Sequence, residues 1–317
     1  MNENRYDIAD GAAAALPLAE SGGRAVGERY LFGVGTVLFA MLLWSSSGIL
    51  MRSIETASQW PVVFYRSASM AATVFAIVAL SHRGRVVRAF RTAGGLGVLG
   101  GLFFAASTIC FIFSITSTTV ANTAFLSATA PLFAAVLAWV ALKERVRAAT
   151  WIALAAALLG VALMVVEGVA AGRLLGNLLA VGSALSFAAL TVILRGGRRV
   201  DMLPCVCLGG AFAALVGLLL AADLAISARD LVLCVVMGTV QLSAPLVLFI
   251  IGSRHLSAVE LSLLSLLDVV LSPLWVWLGI GETPSGLTLA GGAIVLTAIV
   301  GQALSGARRL RPPVGAV

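Results

Sequence analysis

Arg66 and Asp268 stand deep inside apolar stretches of this chain. A charge at membrane depth is costly, and it marks a pathway, a relay or a paired contact. Arg66 lies about two turns inside its stretch, and its planar guanidinium can grip a carboxylate through two parallel hydrogen bonds. Pairing with Asp268 and snorkelling of the long side chain to the headgroups are the competing accounts. Asp268 lies ~11 residues into its stretch, about 16 Å at ~1.5 Å per residue and so near the midplane. Its carboxylate can bind a substrate amine or take up a coupling proton; the alternative is a structural hydrogen bond between helices.

Neutral polar residues extend the set. Gln241, near the middle of its stretch, offers a donor and an acceptor either to a polar cavity or to a neighbouring helix. Trp44-Ser45-Ser46-Ser47-Gly48 combines three hydroxyls with an aromatic wall, which suits a pathway lining as well as a small-residue helix contact. Glu260 and Asn122 sit about one turn into their stretches, Glu260 as an interface marker or an inner gate. Pro131 and Pro273 each remove one backbone hydrogen bond inside a stretch and are hinge candidates.

Other chemistries lack their parts. The only histidines, His82 and His255, fall in or beside gaps between stretches, so a serine protease has no base at membrane depth. An aspartyl protease needs two carboxylates together, and only Asp268 lies near the midplane. Cys205-Val206-Cys207 has no second cysteine pair or nearby histidine to complete a metal site. The glycine pairs Gly97/Gly101 and Gly291-Gly292 lack the strand–turn–helix setting of a phosphate loop and read as helix packing. We therefore expect no metal, no cofactor and no enzyme.

The elements that carry these residues are ten apolar stretches, roughly 31–50, 60–80, 95–114, 118–142, 149–167, 175–194, 203–222, 230–251, 256–280 and 286–304. Each supplies the ~20 residues that cross a ~30 Å hydrocarbon core, and an open chain can cross only as helix. The expected fold is an all-α membrane protein of ten transmembrane helices. The composition agrees, at 60% hydrophobic and 11% charged residues with a mean hydropathy of +1.06. Of 21 Lys and Arg, 17 fall in the tails and the gaps after stretches 2, 4, 6 and 8; the opposite gaps hold Arg52, Arg173 and Arg229. The positive-inside rule then puts both termini in the cytoplasm of a plasma (inner) membrane protein. The net charge of +7 answers to that topology and to anionic lipid rather than to nucleic acid. Residues 1–29 form an expected disordered cytoplasmic tail, and 306–317 a second cytoplasmic tail.

Residues 30–168 and 169–305 repeat each other weakly. Trp139 to Glu144 at the end of stretch 4 matches Trp277 to Glu282 at the end of stretch 9; Gly35 matches Gly176, and Pro61 matches Pro204. Five helices per half forces the two repeats to cross in opposite directions, the arrangement by which many secondary transporters alternate access.

Pro61 and Arg66, then Ala121, Ala124, Pro131 and Leu142-Lys143-Glu144-Arg145, then Leu267-Asp268, Ser272-Pro273-Leu274-Trp275 and Gly281-Glu282-Thr283-Pro284 resemble the EamA-type permeases of the drug/metabolite transporter superfamily. The resemblance runs over residues 30–305, with Asp268 where such proteins often carry Glu. It implies export or exchange of a small organic metabolite, such as an amino acid, without ATP hydrolysis. Alternating access would proceed around a midplane cavity between stretches 1–4 and 6–9. Stretches 5 and 10 brace the periphery or join a homodimer; monomer and homodimer both remain open, as does proton coupling. The alternatives are a non-transporting scaffold or sensor and an intramembrane enzyme.

Overall fold

The protein is described from a computed structural model covering residues 16–55, 57–143, 148–196, 202–256 and 258–307, and among these no strand occurs. The helices are α1 (Leu16–Ser45), α2 (Ser47–Arg52), α3 (Gln59–Ser81), α4 (Val86–Ser117), α5 (Val120–Ser127), α6 (Ala130–Leu142) and α7 (Ala148–Ala170). They continue with α8 (Leu174–Gly196), α9 (Met202–Leu220), α10 (Ala228–Val236), a π-helical turn (Met237–Ser243), α11 (Ala244–Ser253), α12 (Ala258–Ile280) and α13 (Gly286–Ala307). Among the described residues, nine segments are long and apolar enough to cross a membrane, and Gly286–Gln302 is apolar but shorter. The segments are α1–α2, α3, α4, α5–α6, α7, α8, α9, α10–α11 and α12, with α13 following. α1 begins at Leu16 and so runs through the second half of the segment expected to be a disordered tail. Leu, Ala, Glu and Arg supply eight of the fourteen residues from Leu16 to Arg29, against three glycines, and Pro17 falls in the first turn, where a missing N–H costs nothing.

Local chemistry explains the interruptions. Between α1 and α2 the hydroxyls of Ser45 and Ser46 turn back to the carbonyls of Leu42 and Leu43 at 2.9 and 2.7 Å, competing with the backbone ladder. α5 and α6 part at Ala128–Thr129, just before Pro131, which has no N–H for the Ser127 carbonyl. Pro245 likewise denies a partner to the Gln241 carbonyl, and the widened turn over Met237–Ser243 precedes it. Gly94 kinks α4 at φ 54° and ψ −151°, a backbone conformation that excludes a Cβ. Pro273, by contrast, sits within an unbroken α12.

The segments pack across the two halves of the chain. α4 lies against α8 and α9, α3 against α9 and the π turn, α1 against α11 and α12, α5–α6 against α8 and α12, and α7 against α13. One core cluster joins Ala121, Phe125, Leu126 and Met164 to Ala180 and Val269. α7 and α13 meet backbone to backbone: a Cβ on Gly160 would lie 2.5 Å from the Gly291 carbonyl oxygen. Gly101 and Gly209 bring α4 and α9 together in the same way. The outer surface is apolar, with Leu80, Ile152, Leu219 and Leu278 all exposed, as hydrocarbon solvent requires and water would not.

Candidate substrate site

Arg66 projects from α3 where that helix meets the π turn. Glycine at 238 makes the approach feasible, since a Cβ there would land on Ser69 Oγ and the Arg66 carbonyl oxygen. Ser69 Oγ donates to the Arg66 carbonyl at 2.9 Å and lies 3.4 Å from that of Cys234, tying α3 to α10. The Arg66 side chain is 5% exposed and faces the Cys234 thiol. Its guanidinium makes no hydrogen bond or ion pair with a described residue. Beside it on α3, the Ser67 hydroxyl is buried without a partner among the described residues.

The π turn carries Gln241, 3% exposed. Its Nε2 donates to the Trp44 carbonyl at 3.0 Å, where α1 gives way to α2. Its Oε1 is buried with no donor among the described residues. A buried acceptor left open costs about 1–3 kcal/mol, so Gln241 half-serves the fold and keeps one atom unused. The Trp44 ring packs against Phe249 at a centroid distance of 5.6 Å.

Asp268 is half-buried on α12, flanked by Leu267 against the α1 cluster of Val37, Ala40 and Met41 and by Val269 in the cluster with Phe125. Its carboxylate has no hydrogen-bond partner among the described residues, and no ion pair joins it to Arg66. Two helical turns further on, α12 is pinned to α1, because Trp275 Nε1 donates to Ser45 Oγ at 2.8 Å. Ser45 is therefore engaged in a helix contact, while Ser46 satisfies its own helix end.

The Arg52 end of the bundle holds a polar knot. Arg52 Nε meets Glu282 Oε2 at 3.0 Å, and its Nη2 donates to the Thr118 carbonyl at 2.8 Å. Glu282 Oε1 accepts from the Val120 amide at 2.8 Å, capping the first turn of α5. Asn122 lies directly below: its Nδ2 donates to Asn177 Oδ1 at 3.2 Å, and its Oδ1 accepts from Thr288 Oγ1 at 2.7 Å. Thr118 Oγ1 donates to Asn177 Oδ1 at 2.7 Å, Asn177 Nδ2 to the Met164 carbonyl at 3.0 Å, and Thr288 Oγ1 also lies 3.1 Å from Glu167 Oε2. Asn122 thus spends its amide on α8 and α13. Asp230 ties in the first loop, accepting from the Glu55 and Ala57 amides at 3.3 and 3.2 Å.

Glu260 lies far from this knot along α12 and accepts from the Tyr30 hydroxyl at 3.1 Å. The roles of Arg52, Asn177, Thr288 and Glu167 escape a reading residue by residue. One signal was available for Asn177: with Asn122 it is one of two asparagines inside the apolar stretches, and the two are bonded to each other. Glu144, the repeat counterpart of Glu282, and Arg145 lie outside the described residues.

The sequence over residues 31–166 matches the EamA-like transporter family. No curated protein matches the chain. A solved crystal structure, described only as that of a protein, aligns at 20% identity with a TM-score of 0.59, covering 89% of this chain and 98% of the other. At that identity the likeness concerns the fold alone. Apolar segments of crossing length and an apolar outer surface mark a multi-pass membrane protein, and the similarity of its residues 31–166 to the EamA-like transporter family points to a membrane transporter of the drug/metabolite transporter type.

Proposed function

We propose that the protein is a secondary transporter, in the direction of export, for a small organic solute that carries a carboxylate or comparable anion. The observation that carries this reading is the buried Arg66 guanidinium with no anion among its described neighbours. An uncompensated cation in low dielectric is expensive, and a substrate anion would remove the cost on binding. Gln241 Oε1 then offers an acceptor to a second polar group, and Asp268 a counter-charge to an amine or a place for a coupling proton. A small amino acid fits that set of functions.

Two features support alternating access. Exchanging each segment for the one five places along maps the main contacts onto one another: third with sixth becomes eighth with first, third with seventh becomes eighth with second, and fourth with sixth becomes ninth with first. The pairs second with seventh, fourth with ninth and fifth with tenth map onto themselves. Such a pattern is what two inverted five-helix repeats produce. The Arg52–Glu282 knot, in addition, joins segments of both halves at the Arg52 end, and it acts as a latch that must open for exchange there.

The test is flux in proteoliposomes, with candidate solutes taken from a comparison of medium and cytosol metabolites with and without the protein. Arg66→Lys keeps the charge and loses the fork, so affinity for the transported anion should fall by roughly 10-fold or more. Asp268→Asn should abolish flux driven by a pH gradient while leaving solute binding measurable. Undiminished affinity in the first variant removes the anion clamp, and unchanged gradient-driven flux in the second removes the proton role.

A further inference from the structure

No acidic residue occurs between Glu55 and Glu144, yet Arg83, Arg85, Arg88 and Arg91 crowd the connection between α3 and α4. The Gly94 kink separates residues 86–93 from the membrane-crossing remainder of α4 and leaves them as a two-turn helix. Its inner face is apolar: Val86, Ala89 and Phe90 pack with Val74, Val78 and Val206. Spacings of three and four residues put these on one side, so Arg85, Arg88 and Arg91 emerge on the other, all exposed. With Gly84, Val87 and Thr92 they line an open hollow of about 560 Å³. None of the four guanidinium groups makes a hydrogen bond or ion pair with a described residue. Val87 in the hollow is an exposed apolar side chain, as are Leu80 and Leu96 on the neighbouring turns of α3 and α4.

We infer that this hollow is a binding site for the phosphate headgroup of an anionic phospholipid. Guanidinium groups spaced three residues apart present several forks to one phosphate, a geometry in which Arg outperforms Lys. A soluble phosphate compound would meet the same cations but would gain nothing from the apolar rim. A lipid places its acyl chains along Leu80 and Leu96 while its headgroup lies among the arginines. The two-turn helix is amphipathic in the sense expected of an element lying in the interface plane.

The experiment uses full-length protein in nanodiscs of phosphatidylcholine containing phosphatidylglycerol, with retained lipid counted by native mass spectrometry. The wild type should retain phosphatidylglycerol over phosphatidylcholine by about tenfold. Arg85→Gln/Arg88→Gln/Arg91→Gln should erase that preference. Arg85→Lys/Arg88→Lys/Arg91→Lys, which keeps the charge that orients the chain, should lower it several-fold while the protein still elutes as a folded species. Equal retention of the two lipids by the wild type overturns the site, as does an unchanged preference in the Lys variant. Displacement of the lipid by inorganic phosphate at matched concentration overturns the lipid assignment and leaves a soluble-anion site instead.

Discussion

Arg66 and Asp268 carry opposite charges inside one bundle and form no ion pair, which leaves each available to a ligand. Gln241 differs from both, because one end of its amide caps the Trp44 carbonyl and the other end is open. Gln241→Leu separates these uses. Losing the capping bond exposes an unsatisfied carbonyl at the α1–α2 break and should cost about 1–3 kcal/mol of stability. Loss of substrate affinity beyond what Gln241→Glu retains would come from the open acceptor. Thermal unfolding and solute binding measured on both variants distinguish the two; equal affinity in both assigns Gln241 to the fold alone. Composition along the chain was enough to single out Arg66, Asp268 and Gln241, since polar atoms in apolar runs stand out without coordinates. It could not separate them from Asn122 and Ser45, whose polar atoms are consumed by Asn177, Thr288 and Trp275.

The elements are shaped by where backbone bonds fail. Pro131 and Pro273 look equivalent in sequence, yet the first lies at a helix break and the second inside a continuous helix. The π turn has its local cause in Pro245, a residue whose place in the eighth segment reveals nothing of Gln241 until the widened turn is seen. At the end of α2, Arg52 holds Glu282, and Glu282 holds the first turn of α5. Glu282→Gln keeps an acceptor for the Val120 amide but removes the charge that binds Arg52. The latch should then open more often, and the buried native Cys234 beside Arg66 reports it. In a background of Cys110→Ala, Cys205→Ala and Cys207→Ala, a membrane-impermeant thiol reagent should label Cys234 faster in Glu282→Gln than in Glu282, and substrate should slow the reaction. Identical labelling rates would show that Arg52 and Glu282 do not control access.

Over the whole molecule, contacts between the two halves outweigh those within either, because α3, α4 and α7 find their main partners in α8, α9 and α13. The seam between α7 and α13 is close, with Gly160 and Gly291 in backbone contact. Gly160→Val forces side-chain atoms onto the Gly291 carbonyl and should destabilise the fold by roughly 1–3 kcal/mol, the usual range for overpacking. A lowered thermal midpoint in detergent, with transport per folded molecule preserved, fits a bracing seam. Lost transport at unchanged stability would make it a moving part.

The apolar runs, the near absence of charge within them and the placement of Arg66 and Asp268 are properties of the linear chain. They sufficed for an all-helical membrane protein and for the residues worth attention, because hydropathy is decided within ~20 neighbours. Saturation of polar groups is decided elsewhere. Asn122 meets Asn177 across 55 positions, and Ser45 meets Trp275 across 230. Only the packed bundle determines which buried polar atoms are already satisfied and which still need a partner. Burial makes that difference expensive, and it turns Arg66, Gln241 and Asp268 from a list of polar residues into a candidate site.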